Sequence, residues 1–131
     1  MGLEGTSIRV KDMRKSLDFY TKRMGMRVTG RSSYVPGEKV VSLESRDTGQ
    51  KLSLMYFAKN CVWYTPYKED GSELDHLTFE FKQAKKTYEK LIAEGAPKAT
   101  EFWGDEKGGM GLVKDPNGIW IAIRGGRRRK K

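Results

Sequence analysis

One pattern occurs twice in this chain, at a constant offset of 71 residues. Gly5 to Val10 (GTSIRV), followed by Met13, Leu17 and Tyr20, aligns with His76 to Phe81 (HLTFEF), followed by Ala84, Tyr88 and Leu91. Each copy reads as a short alternating strand, then a helix with apolar residues three and four apart, then further strands. A chain that repeats such a unit folds as two related modules. The expected class is α+β, with two βαβββ modules forming a cup-shaped mixed sheet. The only histidine, His76, opens the second copy, and its counterpart in the first is Gly5.

In the first module the alternation of Thr6 to Val10 predicts a strand, and Asp12 is a suitable N-cap for a helix whose inner stripe is Met13, Leu17, Tyr20 and Met24. Gly25 stops that helix. Strands follow over about 28–34, 39–45 and 51–57, separated by the turn sequences Pro36-Gly37 and Asp47-Thr48-Gly49. The second module predicts a strand over 74–81, a helix over 83–94 with Ala84, Tyr88 and Leu91 inward, and strands near 100–103, 109–114 and 119–124. Asp115-Pro116-Asn117-Gly118 makes the last turn. The chain therefore divides into a first module (residues 1–60), a connection (61–73), a second module (74–124) and a disordered basic tail (125–131). The glycines between Gly104 and Gly111 match no phosphate-binding motif and read as a mobile hairpin loop.

Composition narrows the function classes. A module of this size buries too little surface to stand alone, so the two modules need each other. No apolar run approaches the roughly 18 residues of a membrane-spanning helix, and a soluble, cytoplasmic protein is expected. One cysteine, Cys61, forms no intramolecular disulfide and no cysteine-based zinc site. The net charge is +9, but five of those charges are Arg127 to Lys131, which leaves +4 for the rest. Such a tail gives weak, nonspecific contact with polyanions and otherwise aids solubility. Only four amide side chains (Gln50, Asn60, Gln83, Asn117) accompany the many charged ones, a thermophile-like balance.

Strand parity identifies the candidate site. Leu77, Phe79 and Phe81 face the helix, so His76, Thr78 and Glu80 share the other face. By the same rule Ser7 and Arg9 lie opposite Ile8 and Val10, Ser53 and Met55 opposite Leu52 and Leu54, and Trp120, Ala122 and Arg124 opposite Ile121 and Ile123. The candidate ligand-binding residues are Ser7, Arg9, Ser53, Met55, Thr78, Trp120 and Arg124. His76 and Glu80 are the candidate catalytic groups, because imidazole titrates near neutral pH and a carboxylate can take a proton. Trp63, Tyr64, Tyr67 and Trp103 lie near expected loops, where they either close over a ligand or pack an edge.

Arg9-Val10-Lys11-Asp12, the run Lys15 to Lys22 (KSLDFYTK), Met24-Gly25-Met26 and Val113-Lys114-Asp115-Pro116-Asn117-Gly118 together resemble glyoxalase I and its relatives. These form the vicinal oxygen chelate superfamily, which includes bleomycin resistance proteins and extradiol dioxygenases. The resemblance spans about residues 5 to 124 and implies paired βαβββ modules around a cup, and a homodimer in which modules pair within or between chains. It also implies a divalent metal held from the first and fourth strands of each module by His, Glu, His or Gln, and Glu. The matching positions are Gly5, Ser53, His76 and Ala122. One imidazole and one hydroxyl fall short of the three or four N, O or S ligands a transition metal takes. Glu4 is adjacent to Gly5, but Glu80 stands about 13 Å from His76 along the strand, too far to share an ion. The two glutamates also serve glyoxalase I as proton-transfer bases, which Ser53 and Ala122 cannot replace. The expectation is therefore a small-molecule-binding protein with no cofactor, taking an anionic or amphipathic organic ligand between its arginines and Trp120. The alternative is a lyase or isomerase of the glyoxalase I type working through His76 and Glu80 at a divergent or metal-free site. Members without a metal that sequester drugs are a precedent within the resemblance.

Overall fold

The computed structural model describes residue 3 and residues 5–68 and 74–126. Glu4, residues 69–73 and the basic run Arg127 to Lys131 lie outside the described residues. The chain divides into two compact units, Met1–Lys68 and Glu69–Lys131.

The first unit runs β1 (Thr6–Arg9), α1 (Met13–Leu17), a π-helical continuation (Asp18–Arg23), β2 (Arg27–Ser32), β3 (Glu38–Glu44) and β4 (Lys51–Phe57). Its sheet has the order β1-β4-β3-β2, with β1 parallel to β4 and the other pairs antiparallel. Asp12 caps α1 through its carboxylate, which accepts from the Lys15 amide. The π-helical segment departs from the expected stripe. Ser16, Phe19, Tyr20 and Met24 are the buried residues here, and the wider turn, closed by Met24 N donating to Phe19 O at 3.0 Å, lets two adjacent rings face inward. Phe19 and Tyr20 meet edge to face with centroids 5.1 Å apart.

Ile8, Val41, Leu43, Leu52 and Leu54 form the buried face of this sheet. Leu43 and Leu54 are fully enclosed, which contributes about 1.5–3 kcal/mol each. β2 carries a bulge between Val28 and Gly30, where Thr29 turns its hydroxyl to Ser42 O. Residues 61–68, read from the sequence as part of the connection, fold onto this unit. Cys61 is buried, and two successive turns close by Cys61 N to Ala58 O and Tyr64 N to Cys61 O.

The second unit repeats the order: β5 (Leu77–Glu80), α2 (Ala84–Ala93), β6 (Trp103–Asp105), β7 (Gly108–Lys114) and β8 (Trp120–Gly125), with sheet order β5-β8-β7-β6 and β5 parallel to β8. α2 buries Ala84, Tyr88 and Leu91 as its spacing predicts. The side chain of Tyr88 donates to Thr100 O and its ring lies against Phe102. A Cβ at Gly111 would come within 2.9 Å of both rings, so the missing side chain is what lets them reach the sheet.

β6 lies later than expected, because Ala99 and Thr100 already spend their amides on Leu112 O. The glycine-rich stretch is ladder rather than loop. Gly104 faces Gly109, each with positive φ, and a Cβ on Gly104 would stand 2.2 Å from Gly108 O. Gly125, placed by the sequence in the tail, is the last residue of β8. The turn Asp115-Pro116-Asn117-Gly118 is fixed by the buried Asp115 carboxylate, which accepts from the amides of Asn117 and Ile119 at 2.8 Å each. Fold class and repeat thus agree with the sequence reading.

Candidate functional site

Each sheet has one face under its helix and one face opposite, and the candidate residues read from strand parity fall on the second face. In the first unit Ser7 pairs with Ser53 and Arg9 with Met55 across β1 and β4, and β3 continues these rows with Ser42 and Val40. The result is a hydroxyl row (Ser7, Ser53, Ser42) beside a row that starts with a guanidinium. Side chains of register partners share a face, so the parity argument places Ser7, Arg9, Ser53 and Met55 together.

Arg9 is held in place by its own unit. Its guanidinium donates to the Thr65 hydroxyl at 2.9 Å and to the Thr65 carbonyl, and it lies over the rings of Phe57, Tyr64 and Tyr67 at 5.2, 5.4 and 5.6 Å. Tyr67 returns a hydrogen bond to Arg9 O at 3.4 Å. Tyr64 and Tyr67 therefore pack on a cation of the sheet, while Trp63 stays half exposed. Thr65 gave no signal in the sequence, since a threonine in an irregular stretch marks nothing by itself.

Glu38, which the sequence reading passed over, opens β3 opposite Phe57. Its residue is 2% exposed, its Oε1 accepts from Tyr34 N at 2.8 Å, and among the described residues its Oε2 is buried with no hydrogen-bond partner. A charged residue at a strand end reads as solvated, and only the packing reveals the contrary.

In the second unit, β5 and β8 bring Thr78 beside Ala122 and Glu80 beside Arg124. β7 and β6 extend the Arg124 row with Met110 and Trp103. Trp120 pairs with Lys114 at the other end of β8. A carboxylate, a guanidinium, a thioether and an indole thus lie in one row, and Trp103 and Trp120 keep 53% and 40% of their surface exposed. Met110 and Trp103 were not expected here, because the sequence reading set β6 too early, near 100–103, and put Trp103 at its end beside a loop, whereas it opens the strand.

His76 immediately precedes β5, one residue outside the ladder. Its Nδ1 lies 2.8 Å from Asp75 Oδ1. With the proton on Nδ1, Asp75 holds one side of the ring and Nε2 keeps its lone pair as an acceptor. Asp75, adjacent in sequence, was also overlooked.

The four positions matched to metal ligands offer few donors. Gly5 and Ala122 have none, Ser53 has a hydroxyl and His76 an imidazole. A Cβ at Gly5 would already press to 3.3 Å on Lys51 Cβ and Lys51 O, and Ala122 is wholly buried between its register partners Thr78 and Leu112. Among the described residues no three His, Cys, Asp or Glu side chains gather as a metal cluster. The residues present do not fit a divalent transition metal at these positions.

The family model for the glyoxalase/bleomycin resistance protein/dioxygenase superfamily matches residues 2–123. The chain belongs to this superfamily. Among its superfamily relatives, lactoylglutathione lyase of Escherichia coli O157:H7 is 31% identical over 126 residues, covering 94% of this chain and 91% of that protein. The trypanothione-dependent glyoxalase I of Leishmania major superposes with a TM-score of 0.77 at 28% identity, over 96% of this chain and 87% of that one. A glyoxalase family protein from Bacillus cereus shares the fold with a TM-score of 0.76 at 14% identity, covering 94% and 92% of the two chains. Superfamily membership thus agrees with the resemblance read from the repeat and its motifs.

Proposed function

We propose that this superfamily member binds a small anionic or amphipathic organic molecule on its helix-free faces and holds no resident divalent metal at the positions of Gly5, Ser53, His76 and Ala122. The observation that carries the reading is the donor set: one imidazole and one hydroxyl, with no carboxylate at Ser53 or Ala122 to take a carbon-bound proton. The row Glu80, Arg124, Met110 and Trp103 supports the ligand class, since a guanidinium suits a carboxylate or phosphate while thioether and indole suit its apolar part. Homodimeric assembly, a cytoplasmic location and weak polyanion contact through Arg127 to Lys131 belong to the same proposal.

The test is a thermal-shift screen of aromatic carboxylates and phosphates against their neutral isosteres. Stabilisation by the anions, reduced in Arg124→Gln, is expected. Equal shifts with anion and isostere, or an unchanged response in Arg124→Gln, would falsify the proposed ligand class.

A second reading, a lyase of the glyoxalase I type, is favoured by one specific observation, the Asp75–His76 pair at 2.8 Å. In that reading His76 Nε2 is the base, oriented by Asp75, and Glu80 shares its face.

A further inference from the structure

We infer that two abutting turns of the first unit, which expose Tyr34, Val62 and Trp63, are a docking site for an anionic lipid surface. The inference is independent of the ligand reading above.

The turns are fixed to each other. Glu38 N bonds to Val35 O in the first, Cys61 N to Ala58 O and Tyr64 N to Cys61 O in the second, and Ala58 N donates to Gly37 O between them. Gly37 has φ +86, and a Cβ there would stand 3.0 Å from both Asn60 Oδ1 and Cys61 Cβ. Cys61 is buried at this junction. The side chains that leave the two turns are thus held as one patch.

That patch is apolar at its tips. Tyr34 is 75%, Val62 73% and Trp63 50% exposed. Tyr64 and Tyr67 pack on Arg9, whereas their neighbours Val62 and Trp63 remain in solvent. The charge around them has one sign. Across residues 31–40 and 57–64 the bases are Arg31, Lys39 and Lys59, all exposed, and the one acid, Glu38, is buried. Among the described residues none of these three bases forms an ion pair, in contrast to Arg27 with Glu44, Lys22 with Asp18 and Lys98 with Glu101.

Cations around an apolar tip decide the occupant. A second copy of the patch would set cation against cation. A folded acidic partner needs carboxylates at fixed places opposite the three bases, whereas anionic headgroups move laterally to meet them. Tyrosine and tryptophan settle at the lipid–water boundary with the ring inward and the polar tip wet, while lysine and arginine reach the headgroups. The turn amides named above are already paired within the unit, so the tips enter the headgroup layer without stripping water from open backbone. The contact is peripheral, since among the described residues no helix is long and apolar enough to cross a membrane.

The experiment is co-sedimentation of the full chain with phosphatidylcholine vesicles, with and without about 30% phosphatidylserine, combined with quenching of tryptophan emission by brominated acyl chains. Binding to the anionic vesicles alone is expected, with the emission quenched. Val62→Ser together with Trp63→Ser lowers the partition coefficient about tenfold or more and retains the melting temperature, since both side chains are exposed. Trp63→Phe keeps the binding and loses the quenching, because Trp103 and Trp120 stay outside the lipid. Deletion of residues 127–131 weakens the binding and leaves the Trp63 quenching in what remains. Absence of vesicle binding, binding that survives the double substitution and vanishes with residues 127–131, or quenching that survives Trp63→Phe overturns the inference. Preference for soluble polyglutamate over the vesicles, with the same dependence on Trp63, overturns it in favour of an acidic protein partner.

Discussion

Arg9 and Thr65 are joined by two hydrogen bonds across 56 residues of chain, one to the hydroxyl at 2.9 Å and one to the carbonyl. The strand that opens the first module and the segment that closes it are thereby locked, with Phe57, Tyr64 and Tyr67 packed around the cation. Arg9 is a positioning residue of the fold before it is anything else.

Arg9→Ala should therefore cost about 1–3 kcal/mol of stability in chemical denaturation, the range for losing hydrogen bonds to a charged group. Arg9→Lys should recover little, because an ammonium cannot present the planar fork to both Thr65 oxygens. An Arg9→Ala protein as stable as the native one, but impaired in anion binding, would move Arg9 from the fold to the ligand.

Tyr88 makes a pH prediction. Burial raises its phenol above 10.0, with the nearby Lys98 opposing in part. The folded state then keeps the proton that the unfolded state releases, so stability is intact below pH 10.0 and falls as pH rises toward the raised folded value. Thermal melts should show a decline above that pH which is shallower in Tyr88→Phe. That variant also loses the bond to Thr100 O and should be less stable at neutral pH.

The Asp75–His76 pair separates the two functional readings. If the protein is a binder without catalysis, His76→Ala and Asp75→Asn leave any hemithioacetal turnover at background. If the lyase reading holds, His76→Ala abolishes turnover and Asp75→Asn lowers it by about 10-fold to 100-fold, the range for losing an orienting partner. A steady-state assay on the three proteins decides.

Removal of residues 127–131 should eliminate most salt-sensitive retention on heparin or nucleic acid, since these residues carry five of the nine net charges. Persistent retention would place the polyanion contact on the folded units.

Much of this fold is visible in the sequence because local signals and tertiary packing agree. The 71-residue repeat, the Asp12 cap and the Ala84, Tyr88, Leu91 stripe all survive unchanged. The π-helical turn was not legible, because a spacing rule assumes a regular helix and cannot know that Phe19 and Tyr20 are both buried. β6 was misplaced because Thr100, a β-branched residue that suits a strand, spends its amide on Leu112 O outside the β6–β7 ladder. At the candidate site, alternation alone put Ser7, Arg9, Ser53, Met55, Thr78, Glu80 and Arg124 on their faces, and ladder registers pair them the same way. Glu38, Asp75 and Thr65 escaped because their importance lies in contacts, and contacts are made by the folded chain.

The central claim is the proposal that the protein holds no resident divalent metal at the four matched positions of its repeat, Gly5, Ser53, His76 and Ala122. Elemental analysis of the protein purified without chelators tests this most directly. The account predicts far less than one equivalent of Zn, Ni or Mn per chain, with none retained after incubation and desalting. One equivalent of any of these metals per chain, lost on His76→Ala, would contradict it.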